Sequence, residues 1–84
     1  MTLSEETVRK QLEDKFICTE KLQSGEIIAV FERMFYFPPT QRHFRADKRT
    51  VETRIKNSEK YNFDNTENKK ALKAINLEES KAGL

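Results

Sequence analysis

Residues 27–37, with the sequence IIAVFERMFYF, decide the fold. The stretch is rich in β-branched and aromatic residues, and bulky apolar side chains occupy both alternating faces at its start. A strand that is apolar on both faces is covered on both sides, so we expect a central or sandwiched strand. Pro38 and Pro39 end this strand, because proline lacks the N–H that a ladder hydrogen bond requires.

A second predicted strand precedes the first and completes a β-hairpin. Residues 16–22 are rich in strand-forming side chains, and residues 23–26 read QSGE. This short polar segment is typical of a tight turn, in which Gly25 can adopt a positive φ. The sequence therefore predicts two antiparallel strands joined by a turn.

Two helices flank the predicted hairpin. Residues 4–15 begin with Ser4 as an N-cap, and apolar side chains recur every four residues at Val8, Leu12 and Phe16. Residues 47–60 begin with Asp47 as the cap. In this second helix we expect Val51 and Ile55 to face inward, with most of the helix surface in water.

The remaining segments are predicted to be less ordered. Residues 40–44 are expected to form a loop or a single helical turn. Residues 68–77 could form a short, weakly docked helix, with disorder from residue 78. The predicted fold is α+β: an N-terminal helix, a two-stranded antiparallel hairpin, a basic second helix and a partly disordered C-terminal tail. Residues 1–65 would form a single small domain, and residues 66–84 a short weak helix and flexible tail.

Composition limits the protein class. The chain has 84 residues, of which 36% are hydrophobic and 36% are charged, so it forms one domain at most. Its single cysteine, Cys18, cannot form an intramolecular disulfide, and we expect a buried, inert thiol in the first strand. The sequence shows neither a signal-peptide pattern nor an apolar run of about 20 residues, which predicts a cytoplasmic protein, or a nuclear one in a eukaryote.

Positive charge is concentrated in the middle of the chain. Residues 33–60 hold eight of the sixteen lysines and arginines and only three acids, a net charge of +5, whereas residues 1–32 carry a net charge of −3. Aromatic side chains lie among and just ahead of these cations, and that combination suits a polyanion with stackable bases. The sequence therefore predicts a small nucleic-acid-binding regulator, with DNA favoured over RNA. The basic segment 42–56 would supply the contacts Arg42, His43, Arg45, Lys48, Arg49, Thr53, Arg54 and Lys56.

One local run, residues 47–56 with the sequence DKRTVETRIK, resembles the recognition helix of helix-turn-helix proteins. In that family an Arg-Thr-Val-Glu run opens the helix whose polar side chains meet base edges. The resemblance implies that Arg49, Thr50, Thr53 and Arg54 face DNA. It covers about ten residues, and the segment just upstream departs from the family, because a strand and two prolines stand where a scaffold helix belongs.

The sequence favours a protein without catalytic chemistry, cofactor or metal. Its two glycines cannot build a phosphate-binding loop, and no nucleophile has a supporting base. His43 is the single histidine and lacks a second ligand at metal-binding spacing. Adjacent carboxylates such as Glu13 and Asp14 point about 100° apart on a helix, so we interpret them as surface groups.

The alternative function is a protein–protein adaptor, an inhibitor or a small accessory subunit that binds an acidic partner. Its contact patch would be Met34, Phe35, Tyr36 and Phe37, and the small core makes a homodimer a further possibility. The acids of the first helix separate the two hypotheses. Carboxylates far from the basic helix favour a polyanion, whereas carboxylates packed near that helix favour the adaptor.

Overall fold

The structure is a computed structural model that describes residues 4–33 and 42–83. Over these residues the chain is α+β, as predicted, with three helices and three strands. Their order is α1 (Glu5–Gln11), β1 (Lys15–Lys21), β2 (Ile27–Glu32), β3 (His43–Ala46), α2 (Lys48–Lys60) and α3 (Thr66–Lys81). Residues 34–41, which include the predicted contact patch and the two prolines, lie outside the described part.

The sheet is antiparallel, with the strand order β1-β2-β3. Strands β1 and β2 form the predicted hairpin, and Gly25 in its turn has φ +94°. The prediction of two strands was one too few, because residues 43–46 form β3 rather than belonging to a loop. Phe44 and Ala46 lie opposite Phe31 and Ala29 of β2, so this short segment is a strand through its pairing with β2. Strand β2 is therefore central, as predicted.

One face of the sheet is covered by α2 and α3. On β2 this core face carries Ile27, Ala29 and Phe31, and all three are buried. The two helices add Val51, Ile55, Ala71 and Ile75 to the same cluster, and Ala46 completes it. The prediction that Val51 and Ile55 face inward is confirmed.

The opposite face of the sheet, which we call the outer face, has no helix packed on it within the described residues. Ile28 and Val30 of β2 are nevertheless only 5% exposed. Glu20 of β1 lies beside Ile28 and Arg45 of β3 lies beside Val30, so the ion pair between these two charged side chains spans β2. Cys18 lies on the outer face opposite Val30 and is exposed, so the prediction of a buried thiol was wrong.

The predicted caps are present, although α1 is shorter than expected. The Thr7 N–H donates to Ser4 Oγ at 3.2 Å, and the Thr50 N–H donates to Asp47 Oδ1 at 2.8 Å. The first helix ends at Gln11 rather than at residue 15, and Phe16 belongs to β1. There its ring contacts Phe31 edge to face, with 6.0 Å between the ring centroids.

The third helix is longer and more deeply packed than predicted. It spans Thr66–Lys81 and continues beyond the point at which we expected disorder to begin. Ala71 and Ile75 are fully buried, and Asn68 is 1% exposed with no hydrogen-bond partner for its side-chain amide. Because an unpaired buried amide opposes folding, the docking of α3 depends on its apolar side chains. None of the helices found in the described residues is both long enough and apolar enough to span a membrane.

Candidate functional site

The predicted nucleic-acid contacts do not share one surface. In β3, Phe44 pairs with core-facing Phe31, and the alternation of a strand therefore directs His43 and Arg45 to the outer face. Helix α2 lies on the opposite side of the sheet, where Arg49 and Lys56 are exposed to solvent. The sheet therefore separates the contacts of β3 from those of α2.

The outer-face cations are held by carboxylates of the sheet itself. Arg42 donates to Glu32 Oε1 from Nη2 at 2.8 Å and from Nε at 3.1 Å. Arg45 Nε donates to Glu20 Oε1 at 2.8 Å. The bond to Arg42 lowers the pKa of Glu32, and the bond to Glu20 raises the pKa of Arg45. Both shifts follow from hydrogen bonding to an oppositely charged partner, in pairs whose side chains are 41–60% exposed.

Lys48, at the start of α2, is also paired. Its Nζ lies 2.9 Å from Oε1 of Glu79 on α3, and this contact raises the pKa of Lys48. This bond joins the first turn of α2 to the last turns of α3. Lys48 therefore has a role in helix–helix packing, with 40% of its side chain exposed.

Arg54 is the clearest correction to the predicted site. It was expected to face DNA, but only 7% of the residue is exposed. Its Nη1 lies 3.1 Å from Asp14 Oδ2, and its guanidinium carbon lies 4.4 Å from the ring centroid of Phe44 and 5.7 Å from that of Phe31. Burial lowers the pKa of Arg54, and Asp14 opposes that effect. The side chain forms an internal ion pair against two aromatic rings and is not accessible to a phosphate.

The burial of Arg54 could have been predicted from the sequence. Val51, Arg54, Ile55 and Ser58 follow the i, i+3, i+4, i+7 spacing of a helix face, and all four residues are buried. The resemblance to a recognition helix instead predicts that Arg54 faces DNA. The helix-turn-helix geometry itself is not present in the described residues, because strand β3 precedes α2 where a scaffold helix is required.

Asp14 was interpreted as a surface carboxylate and is 5% exposed. It follows α1 in the chain, and α1 packs on α2. Glu5 and Glu6 pair instead within their own helix, with Arg9 and Lys10, at 3.4 Å in both cases. Of the acids in and just after α1, Asp14 therefore pairs with the basic helix, whereas Glu5 and Glu6 pair within α1. Glu79 of α3 supplies a second carboxylate beside α2.

The remaining predicted contacts are on the solvent side of α2. Arg49, Thr53 and Lys56 are exposed, and neither Arg49 nor Lys56 forms an ion pair with another described residue. The Thr53 hydroxyl donates to the Arg49 carbonyl at 2.9 Å, within the helix. Glu52 and Glu59 are exposed on the same helix, so its open surface carries mixed charge.

The outer edge of β1 is a site that the sequence analysis missed. Strand β1 pairs with β2 on one side and, among the described residues, has no strand on the other. The Leu22 N–H donates to Glu26 across the hairpin, so alternation directs the backbone groups of Thr19 and Lys21 away from β2. The Phe16 N–H also points outward and donates to Glu67 Oε1 of α3 at 3.1 Å. The edge is thus closed at Phe16 and open at Thr19 and Lys21.

An exposed apolar side chain lies on this edge. Ile17, at the β-bulge between Phe16 and Cys18, is 47% exposed. Helix α3 runs alongside the strand, because Glu67 contacts the start of β1 and Lys81 lines a cleft with Thr19 and Lys21 near its end. Leu77 of α3 is 55% exposed and lies on the side of the helix away from the buried Ala71 and Ile75.

The sequence predicts the strand at this edge but not the exposure of Ile17. Strand-forming residues surround Ile17, but the bulge that exposes it follows from the register with β2 and has no local sequence signature.

For metals, the described residues hold no cluster of three or more histidine, cysteine, aspartate or glutamate side chains positioned to bind an ion.

Comparison with known proteins does not assign this chain to a family or a function. No protein family, curated protein or solved structure matches this chain. The geometry of the described residues therefore carries the functional argument.

Proposed function

We propose that this protein is a non-enzymatic protein-binding module: an adaptor, an inhibitor or a small accessory subunit of a larger complex. The observation that carries the proposal is the internal neutralisation of the basic segment. Four of its cations bond carboxylates of the same chain, at 2.8 Å for Arg42 and Arg45, 2.9 Å for Lys48 and 3.1 Å for Arg54.

Internal pairing weakens the case for a polyanion site. Affinity for nucleic acid grows with the number of phosphates that cations neutralise, and at these four positions a phosphate would have to displace a bonded carboxylate. To reach Arg54, a phosphate would also have to enter the protein interior. Four carboxylates outside residues 33–60, those of Asp14, Glu20, Glu32 and Glu79, thus balance four of the five excess positive charges of that segment.

The β1 edge supports a protein partner. Its unpaired backbone groups can extend the sheet by accepting a strand from another chain, which is a common mode of peptide recognition. Ile17 supplies exposed apolar surface on the same strand. The predicted patch at residues 34–37 remains a second candidate contact and lies outside the described residues.

Site-specific photo-crosslinking in cells of the source organism tests this proposal. With a photoreactive amino acid at position 17, we expect a protein partner to be captured. The matched control is position 56, which is exposed on α2 across the sheet from the outer face. Capture from position 56 alone, or no protein adduct from position 17, would contradict binding at the β1 edge.

The second candidate function is nucleic-acid binding, and the exposed cations Arg49 and Lys56 on α2 favour it. Titration of the purified protein with duplex DNA and single-stranded RNA at two salt concentrations tests it. If α2 binds a polyanion, the double variant Arg49→Ala/Lys56→Ala should weaken binding and reduce the salt slope by roughly two ions. We expect instead that binding is weak and that the double variant leaves the slope unchanged, because the open face of α2 carries mixed charge.

A further inference from the structure

Arg33 differs from the other cations that the fold withdraws from water. Of the lysines and arginines in the described part of the chain, three are partly or fully buried: Lys48, Arg54 and Arg33. Lys48 and Arg54 are each bonded to a carboxylate of the chain, at 2.9 Å and 3.1 Å. Arg33 forms no ion pair with any described residue, and residues 34–41, which follow it, contain no aspartate or glutamate. Because a charge removed from water normally has a counter-charge, Arg33 points to an anion from outside the chain.

The Arg33 side chain lies on the core side of the sheet. Its N–H donates to the Arg42 carbonyl at 2.8 Å, so its backbone continues the pairing of β2 with β3. Alternation from the buried Phe31 directs the side chain to the same face. There its guanidinium carbon lies 4.7 Å from the ring centroid of Phe44, and the guanidinium carbon of Arg54 lies 4.4 Å from the same centroid. The ring therefore holds two guanidinium groups close together.

A cleft between α1, the end of β2 and α2 opens beside these groups. Its volume is about 240 Å³, which is several times the ~30 Å³ share of one water molecule and sufficient for a carboxylate. The described side chains that line this cleft are those of Thr7, Lys10, Gln11, Asp14, Arg33 and Arg54. Thr7 and Lys10 are exposed, so the cleft is open to solvent on the α1 side.

The charges in and around this cleft leave one cation without a partner. The lining holds three cations and one carboxylate. The carboxylate is that of Asp14, which is bonded to Arg54 at 3.1 Å. Lys10 lies 3.4 Å from Glu6, an exposed side chain that does not line the cleft. Once both pairs are counted, the charge of Arg33 remains uncompensated by the described residues, and a single negative charge matches it.

A carboxylate is the anion that fits this arrangement. A guanidinium presents its N–H groups as a planar fork that matches two carboxylate oxygens. The same cleft contains a precedent, because Arg54 lies against Phe44 and donates to the carboxylate of Asp14. Burial lowers the pKa of Arg54 and the charge of Arg33 adds to that effect, so a carboxylate at Arg33 would offset the repulsion between the two guanidinium groups.

We propose that this cleft binds a carboxylate group through the guanidinium of Arg33, with Lys10 at its mouth. Arg54 keeps its bond to Asp14 and forms the floor of the cleft, so the protein interior stays closed. The carboxylate is either that of an acidic side chain on a partner protein or that of a free organic acid. The site uses none of the residues of the β1 edge, so it goes beyond the proposed function and does not depend on it.

Nuclear magnetic resonance titration of the isotope-labelled full chain tests the proposal. Sodium acetate is the free-acid probe, N-acetylglutamic acid α-amide represents an acidic side chain of a protein, and sodium chloride at equal ionic strength is the control. We expect saturable shifts of the Thr7, Gln11 and Phe44 amides with both carboxylates and no saturation with chloride. Tighter binding of the blocked glutamate would assign the site to a protein side chain, and tighter binding of acetate would assign it to a free acid.

Matched variants locate the binding group. Arg33→Gln should weaken both carboxylates at least about tenfold, because it removes the charged donor. Arg33→Lys keeps the charge and loses the fork, so it should bind with intermediate affinity. Lys10→Gln changes an exposed side chain and should weaken binding to a smaller extent with the fold intact. Arg49→Gln is the control, since Arg49 is exposed on α2 and should leave the affinity unchanged.

Two results would overturn the carboxylate site. One is a linear, unsaturable shift with all three salts, and the other is an equal loss of affinity in Arg33→Gln and Arg49→Gln. If circular dichroism shows that Arg33→Gln does not fold, Arg33→Lys and Lys10→Gln decide, and unchanged affinity in both would reject the site. Failure here would leave the proposed function standing, whereas acetate binding without a protein adduct from position 17 would reject the β1 edge and retain the carboxylate site.

Discussion

Replacing Asp14 with alanine is expected to destabilise the protein by about 3–5 kcal/mol. The reason is the environment of Arg54, whose side chain is 8% exposed and bonded to Asp14 at 3.1 Å. Without that carboxylate the guanidinium remains buried against Phe44 and Phe31 with an uncompensated charge. A domain of this size has a total stability on the order of 5–10 kcal/mol, so the loss is a large part of the whole.

Urea unfolding monitored by circular dichroism measures this effect. The double variant Asp14→Leu/Arg54→Met should be markedly more stable than Asp14→Ala, because an apolar pair removes both charges together. Glu5→Gln is the control, since it breaks the exposed pair with Arg9 and should cost less than about 0.5 kcal/mol. If Asp14→Ala and Glu5→Gln were equally mild, the buried ion pair would not be a stability determinant.

Deleting residues 66–84 is expected to unfold the rest of the chain. The sequence suggested the opposite, that this segment was a weakly docked tail. In the structure, Ala71 and Ile75 of α3 are fully buried in the same cluster as Phe31. Deletion would expose that core face of the sheet to water, and a small domain has little stability in reserve.

Single substitutions on α3 test its role without removing it. Ile75→Ala should destabilise the protein by about 2–5 kcal/mol, because it leaves a cavity in the core. Leu77→Ala is the matched control two residues away, where the side chain is 55% exposed and little stability should be lost. Equal effects of the two substitutions, or a folded truncated chain, would show that α3 does not complete the core.

Local sequence determined several elements of this protein. The hairpin was predictable because strand-forming residues surround a glycine turn, and Gly25 adopts the positive φ that the turn requires. The N-caps at Ser4 and Asp47 were predictable because a side-chain oxygen bonds an N–H only three residues ahead. The inward positions of Val51 and Ile55 followed from helical spacing. Each of these features depends on groups within a few residues of one another.

Tertiary structure decided the features that depend on distant groups. Strand β3 exists because four residues pair with the free side of β2, and a segment that short has no reliable pattern of its own. Helix α3 extends to Lys81 and packs because the core face of the sheet offers Ala71 and Ile75 a place to be buried. The polar composition of this segment by itself predicts only a short, weakly docked helix.

The candidate site shows the same division. The sequence determined that residues 33–60 carry a net charge of +5, and it could not show where their counter-charges lie. Folding brings Asp14 to Arg54 across 40 positions and Glu79 to Lys48 across 31, so carboxylates from both sides of the positive segment in the chain pair with its cations. It also leaves the β1 edge open, because α3 closes that edge at Phe16 and not at Thr19 or Lys21. Charge and strand propensity are properties of the sequence, whereas pairing and exposure are set by which surfaces the fold brings together.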